Sequence, residues 1–215
     1  MAALLAVAAT VSFPQAGLDS PGAAQILWSP PPIHWPDQLP QASVPKEMID
    51  SFRVAGFSIK FEETKLVEAQ KRLGGSIGQH GDASNAEAWL CLRGTGASGR
   101  WISWLTSSEI GGLTWIDGFV WRRLAPNERP DRRCAALPVT SGGIVLPLSI
   151  HPGMKETEIR RIMGPPTISH GDALFYSHEH SIVLHNEEYT SSNDVVIVSR
   201  DGALWEISAS RVTTN

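Results

Sequence analysis

The sequence predicts an α+β fold of two tandem units, each one helix followed by four antiparallel strands, the two sharing one concave sheet. Three observations predict it. His-Gly-Asp-Ala occurs at 80–83 and again at 170–173, an offset of 90 residues. Leu73-Gly74 recurs as Met163-Gly164, and Lys65 as Lys155, at the same offset. Asp-Gly-Phe-Val-Trp at 117–121 recurs as Asp-Gly-Ala-Leu-Trp at 201–205, an offset of 84. Matches at a fixed offset are the mark of a duplicated unit. The fall from 90 to 84 leaves six extra residues in the first copy, and the Gly-rich stretch 94–99 is where a loop would absorb them.

The elements follow in order. Residues 1–16 are apolar and small up to Pro14, which matches the apolar region of a secretory signal, although the first basic residue is Lys46. At about thirteen residues this run is short of the roughly twenty needed to span a bilayer, and no later stretch reaches that length. Residues 17–56 carry Pro30, Pro31, Pro32, Pro36, Pro40 and Pro45 and read as an extended tether, with Trp28, Ile33 and Trp35 able to strap onto the folded body.

The first repeat, 57–125, opens with a helix on which Leu66, Ala69 and Leu73 share one face, with Glu62 and Glu63 in the first turn and Gly74 as its stop. Strands are expected at 88–92, 101–105, 113–116 and 119–124. Residues 126–146 read as an inter-repeat loop. The second repeat, 147–212, opens with a helix presenting Ile159, Ile162 and Met163, stopped by Gly164-Pro165-Pro166. Its strands are expected at 174–177, 181–184, 195–200 and 203–208. Both Asp-Gly pairs suit a two-residue type I′ hairpin.

The stretch Gly-Met-Lys-Glu-Thr-Glu-Ile-Arg-Arg-Ile-Met-Gly-Pro-Pro at 153–166 resembles the opening of the module in the small outer-membrane lipoprotein of the β-barrel assembly machinery. The duplicated helix-then-hairpins arrangement resembles the β-lactamase inhibitor protein family, in which tandem copies form one concave sheet. Together the resemblances cover 57–212. They imply a tandem sheet scaffold with either an inhibitor-like or an envelope-assembly role.

Chemistry narrows the function classes. A formal charge of −4 excludes a general nucleic-acid binder, which needs a basic footprint to displace counterions. His-Gly-Asp could be an acid–base pair, but its recurrence favours a structural turn built on Gly81 and Asp82, and on Gly171 and Asp172, the aspartates bonding nearby amides. His170, His178, His180 and His185 crowd the second copy. His178 and His180 would share a strand face, yet no metal-ligand spacing accompanies them, so no metal, cofactor or catalytic residue is assigned. Cys91 and Cys134, the two cysteines, are expected to form a disulfide in an exported protein. Arg122, Arg123, Arg129, Arg132 and Arg133 form a basic run that reads as a solvated linker.

Eight tryptophans supply the functional expectation. Trp101 and Trp104, three apart on a strand, must point to opposite sheet faces. A free face carrying Trp101 or Trp104 with Trp115, Trp121 and Trp205 would recognise another protein. The expected function is thus an exported, periplasmic or secreted, non-enzymatic binding or inhibitor-like module. The alternative is a structural or assembly factor of the bacterial envelope, and a His-dependent hydrolase is a third class. Oligomeric state is not indicated.

Overall fold

The computed structural model describes residues 24–33, 49–82, 85–96, 99–138, 144–184 and 186–214. The expected signal segment, part of the tether with Trp35, and His185 lie outside them. An isolated strand, β1 (Gln25–Leu27), comes first, followed by the hairpin β2 (Ser51–Val54) and β3 (Phe57–Lys60) and then helix α1 (Leu66–Leu73). Next come β4 (Ile77–His80), β5 (Glu87–Gly96), β6 (Gly99–Ser108) and β7 (Gly118–Arg123), then three short strands, β8 (Glu128–Pro130), β9 (Ala135–Ala136) and β10 (Ile144–Val145). The chain continues through α2 (Glu156–Met163), β11 (Ile168–His170), β12 (Ala173–Leu184), β13 (Glu187–Arg200) and β14 (Ala203–Thr214).

The α+β expectation is corrected to a mostly β fold. Each helix has only eight residues, and the dominant element is one nine-stranded sheet of order β11-β12-β13-β14-β7-β6-β5-β4. Its ninth strand, β9, runs parallel to β5, and every other pairing in the sheet is antiparallel. A three-stranded sheet, β10-β2-β3, and the parallel pair β1-β8 were not expected, and of their strands only β3 lies inside an expected unit. Short pieces of what composition marked as tether or loop are therefore strand. The reason is that hydrogen-bonded partners come from distant chain, which local propensity does not register.

Other elements shift accordingly. Ile49 is fully buried and β2 lies inside the expected tether, so the folded body begins before Phe57. The strand expected at 113–116 is a turn with one isolated bridge, Lys65 to Trp115. Residues 94–96 stay in β5 and Gly99 opens β6, with Gly96 paired to Gly99, so the described residues of that stretch are strand and not loop. The strands expected at 174–177 and 181–184 are one strand, β12, paired to β13 from Ala173 to Leu184. Asp201 and Gly202, with φ of 53° and 71°, form the two-residue turn expected of them, whereas Asp117-Gly118 ends a long connection from Ser108.

The helices sit where their apolar spacing places them, with Leu66 and Ala69 of α1 and Ile159 and Met163 of α2 buried. They begin later than expected, however. Lys65 and Lys155 are the N-caps, and their amides donate to the carboxylates of Glu68 and Glu158 at 3.4 and 3.1 Å. Glu62 lies outside the helix and binds Thr213, accepting from its amide at 2.6 Å and its hydroxyl at 2.8 Å.

Two cores result. The larger lies on the sheet face carrying Leu90, Leu105, Phe119, Tyr176, Val195 and Ile207, beneath both helices and the β2-β3 hairpin. Phe52 brings its ring within 4.5 Å of Phe119 and 5.8 Å of Phe61 there. The smaller, on the opposite face, gathers Trp89, Cys91, Ile102, Trp104 and Val120 with Cys134, Leu27 and Trp28.

Candidate partner-binding surface

The five tryptophans expected to recognise a partner divide into two groups. Trp101, Trp104 and Trp121 are 5 %, 1 % and 2 % exposed. Strand parity holds, since Trp101 packs in the larger core and Trp104 in the smaller. Their role as an open recognition face is nonetheless corrected, because both sides of the sheet are covered at these positions. Helices and hairpin cover one, and residues 27–28 with Leu124 and Cys134 cover the other. The indole of Trp104 donates to the carbonyl oxygen of Trp28 at 2.8 Å, and Trp28 packs edge-on to Trp89 at 5.9 Å.

Trp115 and Trp205 keep solvent access. Trp115, 38 % exposed, sits on the turn after β6 with the Lys65 ammonium 4.8 Å over its ring. Trp205 lies beside the β13-β14 bulge, its ring flanked by the guanidiniums of Arg200 at 4.3 Å and Arg123 at 5.5 Å. Such cation–aromatic pairs stabilise surface indoles by about 0.5–1 kcal/mol each.

Gly81 and Gly171 have φ of 80° and 56° and follow the edge strands β4 and β11. At Gly81 a side chain would strike Asn85 O at 2.1 Å, so the loop there closes tightly on itself. The aspartates act through the main chain. Asp82 O accepts from the Asn85 amide, and Asp172 O from the Ser199 amide, both at 2.9 Å. His80 pairs across the strand with Glu87, at 3.4 Å, rather than with Asp82. Burial pushes the Glu87 carboxyl above its ordinary value, opposed by His80 and reinforced by Asp117. The pair edges a 470 Å³ cleft between the sheet and residues 29–33, the stretch that carries Pro30, Pro31 and Pro32.

The remaining expected sites fall into place. Cys91 and Cys134 are joined by a disulfide, Cα atoms 4.5 Å apart. No helix among the described residues is long and apolar enough to cross a membrane. His178 and His180 share a strand face and stack at 5.1 Å. Much of the arginine run is structural: Arg122 pairs with Glu128, Arg133 pairs with Asp131 at 2.8 Å, and the same Arg133 caps the Trp28 ring at 3.9 Å. That pairing holds the Asp131 carboxyl at about 2.

The surface that sequence reading missed is the outer edge of β12. β11 pairs only with Ala173, Leu174 and Phe175, so from His178 to Leu184 the outer edge has no ladder partner among the described residues. The Ser177 amide donates outward, to Thr167 Oγ1 at 3.1 Å. Strand alternation then aims the amides of Glu179, Ser181 and Val183 the same way. Val183 is 72 % and Leu184 43 % exposed at the end of this edge. The signal was present in the apolar run Ile182-Val183-Leu184 and in the strand-face spacing of His178 and His180, but the pairing that leaves this edge open depends on β13 and on the shortness of β11.

Compared with protein-family models, with curated proteins and with solved structures, the chain has no match in any of the three.

Proposed function

We propose that this chain is an exported, non-enzymatic module that binds another protein by accepting a strand along the free edge of β12. The observation that carries this reading is the run His178 to Leu184, a regular strand edge without a ladder partner among the described residues, ending in exposed Val183 and Leu184. Proteins usually blunt such edges with prolines, bulges or inward charges. β12 has no proline, and its register with β13 is unbroken from end to end. A partner strand would gain main-chain hydrogen bonds along the edge and specificity from the alternating side chains. The Cys91–Cys134 bond supports residence in an oxidising compartment, periplasmic or extracellular. The inhibitor-like resemblance is compatible with this mode, with the partner held at the sheet edge in place of the buried tryptophans.

The test uses the whole chain and Ser181→Pro. Because the Ser181 amide faces outward, proline there removes an edge donor and leaves the β12-β13 ladder bonds in place. A protein captured from envelope extract by the parent should be lost by Ser181→Pro at unchanged melting temperature. Its binding should protect the amides of Glu179, Ser181 and Val183 from hydrogen exchange. Capture unaffected by Ser181→Pro, with no added protection at these amides, would overturn the proposal.

A further inference from the structure

Four partly buried or surface arginines are neutralised by carboxylates: Arg122 by Glu128, Arg133 by Asp131, Arg160 by Glu156 and Arg211 by Glu62. Arg93 is not. Its Nε is buried without a hydrogen-bond partner, and the side chain enters no ion pair among the described residues. It lies in the wall of a 310 Å³ pocket with Arg100, Trp101, Leu124, Pro130 and Leu137. No described residue lining that pocket is acidic.

The register explains how two cations come together. Arg93 and Thr95 point to the same face of β5, and Thr95 is directly opposite Arg100 on β6. Arg93 and Arg100 are therefore diagonal neighbours on one face. The Arg100 Nη2 donates to the carbonyls of Ala125 and Pro126 at 3.3 and 3.4 Å, which anchors the side chain and leaves Nε and Nη1 for another acceptor. The Arg93 main chain is fixed by Leu137, whose amide donates to its carbonyl at 2.9 Å.

A guanidinium nitrogen buried without an acceptor is costly. Paired guanidiniums match the planar fork of a carboxylate. Apart from Thr95 the rest of the lining is apolar, and the volume is at the small end of the range for organic ligands, about 300–1,000 Å³. We propose that this pocket binds a small organic carboxylate, its anionic group between Arg93 and Arg100 and its apolar body against Leu124, Pro130 and Leu137. The site, on β5 and β6, is four to five strands from β12 in the sheet order, so its fate is independent of the strand-addition proposal.

The experiment titrates the full, disulfide-bonded protein with phenylacetate, with hexanoate, with uncharged phenylacetamide and with inorganic phosphate, followed by amide and indole NMR shifts. Saturable shifts at Gly94, Thr95 and the Trp101 indole are expected with at least one carboxylate. Phenylacetamide should bind at least about tenfold more weakly, as should the carboxylate to Arg93→Gln and to Arg100→Gln, both melting as the parent does. No saturable shift with either carboxylate, or equal binding of phenylacetamide, would overturn the proposal. So would undiminished binding by whichever arginine variant remains folded, and phosphate binding as tightly as the carboxylates would assign a bare oxyanion site instead.

Discussion

The indole of Trp104 and the carbonyl oxygen of Trp28 are joined by a 2.8 Å hydrogen bond across 76 residues of chain. This bond fastens a proline-rich segment over the middle of the sheet. Trp28 is also held edge-on by Trp89 and capped by Arg133, while the Asp131 amide donates to Leu27 O at 2.8 Å. Trp28→Ala removes the ring contacts but leaves the carbonyl, and should cost about 2 kcal/mol, below the range for fully buried tryptophans. Trp104→Phe removes the Nε1 donor and part of the buried ring, orphaning the Trp28 carbonyl beside a small cavity, for about 2–4 kcal/mol. Urea unfolding of both variants checks the pair. If neither moves the midpoint, the segment is not fastened in solution.

The Cys91–Cys134 bond closes a separation of 43 residues and sits beside the short pairing of β9 with β5, Leu92 opposite Ala135. Loop-closure entropy assigns such a bridge about 4 kcal/mol. Reduction, or Cys91→Ala with Cys134→Ala, should lower stability by about that amount, and hydrogen exchange should show the amides of 134–137 opening first. Identical unfolding midpoints with and without reductant would contradict this.

What was legible in the sequence was local. The spacing of Leu66 and Ala69, and of Ile159 and Met163, places each helix face, and Asp201-Gly202 specifies its turn because both residues must take positive φ. The parity of Trp101 and Trp104 follows from the strand alone. What was not legible depends on distant chain. Ser191, Ser192, Asn193 and Asp194 look like a loop, yet lie in β13 because β12 and β14 flank them on both sides. Ser191 and Asn193 are buried there, and Asn193 donates to Ile49 O at 3.1 Å, 144 residues away. The fate of the tryptophans was hidden for the same reason. Alternation assigns a side chain to a face, but only the folded chain decides whether Trp28 or water covers that face.

Two glycines opposite tryptophans carry a further prediction. Gly94 faces Trp101 and Gly78 faces Trp89 across their strand pairs, and each indole lies over its glycine. A Cβ at Gly94 would meet Trp101 Cζ2 at 2.3 Å, and one at Gly78 would meet Trp89 Cε2 at 2.4 Å. Both rings are buried, so neither can yield freely. Gly94→Ala and Gly78→Ala should each cost about 1–3 kcal/mol by overpacking. Gly96→Ala is the control, since its nearest neighbour would be 3.9 Å away, and it should be close to neutral. Thermal melts rank the three. Equal effects at 94 and 96 would show that the indole of Trp101 does not lie where it is described.

Buried acids set the pH dependence. The carboxyls of Glu87, Asp117, Asp194 and Glu206 are all pushed up first by burial. Hydrogen bonds from Ser108 to Asp117, and the arginines 122 and 200 near Glu206, oppose the effect without reversing it. The folded protein thus binds protons more tightly than the unfolded chain. As pH rises from the ordinary values, 3.8 for Asp and 4.5 for Glu, through the raised ones, the folded form holds the proton excess and stability falls. Asp131 acts oppositely, its stabilisation being lost only as pH falls from 3.8 toward about 2, and it lies on the surface where water screens it. The melting temperature should therefore be higher near pH 5 than near pH 7. Both Ser108 bonds go to one oxygen of Asp117, so Asp117→Asn can keep them while removing the charge. That variant should flatten part of the slope, whereas Asp117→Ala should lower the melting temperature at every pH, by an amount equivalent to about 1–3 kcal/mol. Calorimetry between these two pH values decides the matter: an unchanged slope in Asp117→Asn would remove Asp117 from the set of responsible groups.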